Sequence, residues 1–126
     1  MKCLSLIALG VLCISGSAIA QPSDITVRAT DPFGAAAIGS GDLARAEAIL
    51  TDRHLDRGDP VRLINLGAVY WLSGRHDAAV QTWRRVLASR VQYDVQTAGG
   101  RMRSTDELAL EALAAANARP VRTASR

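Results

Sequence analysis

Residues 60–93 read PVRLINLGAVYWLSGRHDAAVQTWRRVLASRVQY, and their spacing decides the fold class. After Pro60, Leu63, Leu66, Gly67 and Tyr70 fall on one stripe of a helix that turns through about 100° per residue. Ser73-Gly74 ends that helix, because glycine accepts the left-handed backbone that closes a helix C-terminus. The next helix, about His76 to Arg90, aligns Ala79, Trp83, Val86 and Leu87. So short a connection makes the two helices run antiparallel, as a helical hairpin.

Sliding the chain against itself by 33 residues places Gly34-Ala35 on Gly67-Ala68, Ser40-Gly41 on Ser73-Gly74, and Ala46 on Ala79. Phe33 then meets Leu66, Ala37 meets Tyr70, and Leu50 meets Trp83. Small residues match small ones where helix backbones approach, and large apolar residues match where space between helices must be filled. The first hairpin therefore starts near Asp31-Pro32, breaks at Gly39-Ser40-Gly41, and continues as a helix from about Asp42 to His54 with Leu43, Ala46, Ile49 and Leu50 on its apolar face. Asp59-Pro60 repeats the start signal, an aspartate N-cap followed by proline in the first turn.

A repeated helix-turn-helix of this length resembles the tetratricopeptide repeat family, whose unit is about 34 residues. The second unit, Pro60 to about Tyr93, carries most of the likeness in Leu63-x-x-Leu66-Gly67-x-x-Tyr70, Ala79 and Trp83. Leu63 stands where the family often has tryptophan. The first unit, about Val27 to Asp59, matches in Phe33-Gly34-x-x-Ala37 and Gly41-Asp42-Leu43-x-x-Ala46, but Pro32 shortens its leading helix and Arg53-His54 replace an apolar end. The resemblance implies a concave face lined by first helices, which would present Ile64, Asn65, Ala68, Trp71 and Leu72 to a peptide or partner helix. Asn65 sits where peptide-clamping members carry an asparagine; the lysines of a carboxylate clamp are missing, and only Arg62 is nearby. Trp71 falls off the Leu63-Leu66-Tyr70 stripe, so it reads either as a partner anchor or as a ring packed under the N-terminal segment.

Beyond the repeats, Val91, Tyr93 and Val95 alternate with Gln92, Asp94 and Gln96 before Ala98-Gly99-Gly100. This pattern fits either a strand and hairpin, with Arg101–Arg103 returning, or an extended loop. Ser104-x-x-Glu107 then forms a capping-box pattern and opens a last helix from about Thr105 to Ala118, bounded by Pro120. Its face of Leu108, Ala109, Ala112, Leu113 and Ala116 either caps the second repeat or mediates self-association. The expected architecture is mainly α: about two repeat-like helical hairpins over 32–93, then a β-hairpin or loop plus a capping helix over 94–119.

The N-terminus carries an export pattern. Lys2 precedes an apolar run from Leu4 to Ile14, and Ala18-Ile19-Ala20 offers small side chains for cleavage after Ala20. The run falls short of the roughly 18 to 20 residues that span hydrocarbon, so the pattern predicts a removable signal (1–20) and a periplasmic or secreted chain without a stable membrane anchor. Cys13 follows bulky Leu12, where a lipoprotein signal wants a small residue. Residues 21–31 read as a linker and 120–126 as a disordered basic tail. Both cysteines, Cys3 and Cys13, lie inside the signal, which excludes a disulfide, a thiol nucleophile and a cysteine metal site from the mature chain.

Lys2 is the only lysine among 15 basic residues, so the mature chain sets 14 arginines against 12 acids. No run among them is dense enough to neutralise a row of phosphates, which argues against nucleic acid as a partner. His54 and His76 belong to no metal-ligand spacing, the serines stand in turns or caps, and Gly99-Gly100 lacks the pattern of a phosphate loop. No catalytic residue, cofactor or metal is expected. The sequence thus predicts a non-enzymatic adaptor or assembly factor that binds a protein or peptide through Arg62, Ile64, Asn65, Ala68, Trp71 and Leu72. A self-associating accessory domain is the alternative, and a small hydrolase a remote third.

Overall fold

The computed structural model describes residues 33–118; the expected signal, linker and basic tail lie outside the described residues. The described residues are mainly α, with five helices, the last of them C-terminal, and a two-stranded antiparallel sheet. In order, these are α1 (Ala35–Gly39), α2 (Leu43–Leu50), α3 (Pro60–Leu72), α4 (His76–Ala88), β1 (Asp94–Gln96), β2 (Met102–Ser104) and α5 (Thr105–Ala118).

The 33-residue periodicity is a property of the backbone. At the first corner Ser40, Gly41 and Asp42 donate their N–H groups to the carbonyls of Ala36, Ile38 and Ala37. At the second, Ser73, Gly74 and Arg75 donate to Val69, Trp71 and Tyr70, each donor and acceptor displaced by 33 positions. Gly41 and Gly74 adopt φ of 77° and 79°, left-handed values that a side chain would strain. Leu43 and His76, also 33 apart, begin the second helices.

α3 is the central element: every residue from Pro60 to Val69 is buried, the polar Arg62 and Asn65 among them. Asp59 caps it by accepting the Val61 N–H at 2.8 Å, with Pro60 in the first turn. One core forms between α3 and the first hairpin from Ala37, Ile38, Ala46, Leu50, Leu66 and Val69. A second forms with α4 and α5, where Leu63, Ile64, Trp83, Val86, Leu108 and Ala112 meet. Tyr70 packs against both.

Two helices are shorter than their apolar patterns predict. α2 stops at Leu50, not His54, because Asp52 and Asp56 fold the following residues into side-chain turns onto the N–H groups of His54 and Gly58. α4 stops at Ala88, not Arg90, where Ser89 turns extended and its hydroxyl accepts the Val91 N–H. The alternating segment does form a hairpin, paired Asp94↔Ser104, Val95↔Arg103 and Gln96↔Met102, and turned through Gly100 at φ 81°. Its strands exclude Val91 and Tyr93, both of which are exposed.

α5 has the bounds that its propensity and cap dictate. Ser104 Oγ accepts the Glu107 N–H at 3.2 Å, and Glu107 accepts the Ser104 N–H at 3.4 Å, the reciprocal pair of a capping box. Arg103 draws Glu107 and Glu111 to 3.0 Å each, and its hydrogen bond, ahead of the Ser104 N–H, lowers the Glu107 carboxyl below its ordinary range. Leu108, Ala109 and Ala112 lie in the second core. The face considered for self-association is therefore occupied inside the chain.

Candidate functional site

The loop between α2 and α3, residues 51–59, is held from outside by two arginines, Arg62 on α3 and Arg85 on α4. Arg62, in the first turns of α3, is only 4% exposed. Its Nη1 donates to the Asp56 carbonyl at 2.8 Å and its Nη2 to the carbonyls of Ile49, at 3.3 Å, and Leu50. Those last two belong to the C-terminal turn of α2, where unpaired carbonyls and the helix dipole favour a cation. The guanidinium thus ends α2 and draws the loop down beside α3. Its Nε is buried without a partner.

This arrangement opens a cleft of about 410 Å³ at the α2–α3 corner. Leu50, Leu63, Leu66 and Tyr70 supply its apolar surface, and Thr51, Asp56, Arg57, Arg62 and Arg85 its polar one. Arg85 reaches across from α4 to donate to the Arg57 carbonyl at 3.2 Å. Asp56 Oδ1 is engaged by the Gly58 N–H at 2.8 Å. Among the described residues, none of the three cleft arginines is ion-paired, whereas Arg75 pairs with Glu47 and Arg103 with two glutamates. Arg75 also lies 4.4 Å from the centroid of the Tyr70 ring, and its hydrogen bond holds the Glu47 carboxyl below its ordinary range.

The six residues expected to bind a partner do not form one accessible surface. Ile64 and Asn65 are 0% exposed and Ala68 is 1% exposed, because α4 and α5 pack on α3 and Asn65 Nδ2 donates to the Phe33 carbonyl at 2.8 Å. Arg62 is equally buried, but in the wall of the cleft. Trp71 is half-buried, its ring centroid 4.2 Å from that of His76 and 5.9 Å from that of Trp83. Leu72 is exposed. The cleft lies about 150° around α3 from the Ile64–Ala68–Trp71 stripe. Among the described residues, no three His, Cys, Asp or Glu side chains converge as a metal site, and no helix is long and apolar enough to cross a membrane.

Sequence reasoning named Arg62 but missed the cleft around it. The usable signal was a lone arginine between Val61 and Leu63-Ile64, since a charge inside an apolar run must find polar partners when it is buried. Arg57 and Arg85 gave none, being 28 positions apart. No family model matches the chain, and neither a curated protein nor a solved structure matches it.

Proposed function

We propose that the protein is a non-enzymatic interaction module of an exported chain, cleaved after Ala20, which binds a segment of another protein in the α2–α3 cleft. The observation that carries this reading is the cleft itself: about 410 Å³, lined by apolar and polar side chains together, from α2, α3, α4 and the loop between α2 and α3. Pockets of this size and mixed lining are the usual receptors for side chains and small ligands. Three of its four charged groups are guanidiniums, which stay protonated and can hold an anion but cannot shuttle a proton. Binding, with no chemical step, is the function this lining suits. The repeated corners support a tetratricopeptide-like hairpin pair as the scaffold, with the recognition surface moved from the expected groove to the helix corner.

Thr51 is exposed at the cleft and tests the reading without touching the core. A Thr51→Trp variant fills the opening. Proteins captured from periplasmic extract by the wild type should be lost with Thr51→Trp at an unchanged melting temperature. Undiminished capture by the filled variant would contradict the assignment.

A further inference from the structure

Within the cleft, charge and shape together restrict the ligand. Three arginines face a single carboxylate, Asp56, and one oxygen of that carboxylate is already engaged by a backbone N–H. The Nη groups of Arg62 donate to neutral carbonyls and its Nε has no partner, so its charge is offset only by the partial negative end of α2. A guanidinium buried without a counter-ion projects a positive potential into a partly enclosed space, where low-dielectric walls strengthen it. The contrast within this chain is informative, because Arg75 and Arg103 each meet a carboxylate at the surface, where pairing matters least. Among the described residues Arg45, Arg53, Arg84, Arg90 and Arg101 also lack a carboxylate partner, and what sets Arg57, Arg62 and Arg85 apart is that they line one cleft.

We propose that the cleft recognises an acidic, apolar peptide segment. An apolar side chain packs on Leu50, Leu66 and Tyr70, and the carboxylate of a neighbouring aspartate or glutamate meets Arg57 and Arg85 in the field of Arg62. An inorganic anion would leave the apolar surface unused. A nucleic acid presents a row of phosphates, whereas the positive groups here line a single cleft. Arginine suits the assignment because its planar donors engage a carboxylate in pairs. The inference rests on the binding function proposed above and names its ligand class.

The test is a fluorescence anisotropy titration of the purified protein with capped peptides in a glycine-serine background. The first carries a phenylalanine followed by two glutamates, the second replaces the glutamates with glutamine, and the third replaces the phenylalanine with alanine. The first should bind, and the other two about tenfold or more weakly, each losing one half of the recognition. Arg57→Gln with Arg85→Gln should weaken the first peptide about tenfold and leave the second unaffected, at an unchanged melting temperature. Added salt should weaken the first peptide most. Equal affinity for the glutamate and glutamine peptides would overturn acidic recognition while leaving a binding cleft intact. Equal affinity of the first peptide for wild type and Thr51→Trp would place its site elsewhere and overturn the proposal. Absence of binding by all three would also overturn it, and capture by the filled variant would still decide the broader function independently.

Discussion

The indole of Trp83 occupies the space that a Cβ on Gly67 would need: an added carbon there would collide with Nε1 and lie 2.6 Å from Cδ1. The ring is anchored by a 3.3 Å hydrogen bond from Nε1 to the Ile64 carbonyl. Thirty-three residues earlier, Gly34 meets Leu50 in the same relation, at a looser 3.4 Å. The repeat therefore preserves a physical contact: a small residue on the first helix lets a large one on the second lie against the backbone.

Gly67→Ala should consequently destabilise the fold, by about 1–3 kcal/mol, although alanine favours a helix over glycine. Gly39→Ala, with nothing within 4 Å of its added carbon, serves as the control and should be neutral or slightly stabilising. Urea denaturation of the two variants checks this. Equal stability of Gly67→Ala and wild type would mean that Trp83 is not seated as described.

Trp71 should behave as a structural residue. Its ring packs on His76 and against the α3–α5 core, so Trp71→Ala should lower stability by about 1–2 kcal/mol. Thermal unfolding of Trp71→Ala distinguishes this from a free-standing partner anchor, whose removal would leave the melting temperature unchanged.

Most of the helical architecture was legible because it is local. Asp59-Pro60, Ser73-Gly74 and Ser104-x-x-Glu107 are stop and start signals that act over three or four residues, and α3 and α5 have the bounds they predict. The end of α2 was legible only in its local half, the Asp52 and Asp56 turns, since it also depends on Arg62 reaching carbonyls twelve and thirteen positions back. Periodicity identified the Ile64–Ala68 stripe but could not tell a groove from a core. That distinction was made by α4, α5 and Phe33, which pack on α3 to cover it. The cleft required both kinds of long-range information.

Arg62 should hold the loop as well as line the cleft. Arg62→Leu removes the donors to three carbonyls and should cost about 2–3 kcal/mol. Amide exchange should rise across residues 51–59, ahead of the centre of α3, because the loop is released before the core opens. Uniform acceleration throughout the domain would show that the guanidinium stabilises the fold globally and has no particular hold on the loop.

The Glu47–Arg75 pair predicts a pH dependence with a defined sign. The hydrogen bond from Arg75 lowers the Glu47 carboxyl in the folded chain, so its contribution is present above the unfolded carboxyl pKa and is lost as pH falls through the folded value. Glu47→Gln should lower the melting temperature slightly near about pH 7, and the difference should shrink as the pH falls through the lowered carboxyl pKa and the wild-type carboxyl is also protonated. A difference that persists in acid would assign the effect to packing, not to charge.

The central claim is that recognition occurs at the α2–α3 corner. Amide chemical-shift mapping with the phenylalanine–glutamate peptide tests it most directly. Thr51, Arg57, Gly58 and Arg85 should move together with increasing peptide while Leu72, Gly99, Gly100 and Leu110 stay fixed. Shifts confined to Trp71, Leu72 or the hairpin, with the cleft amides unmoved, would contradict it.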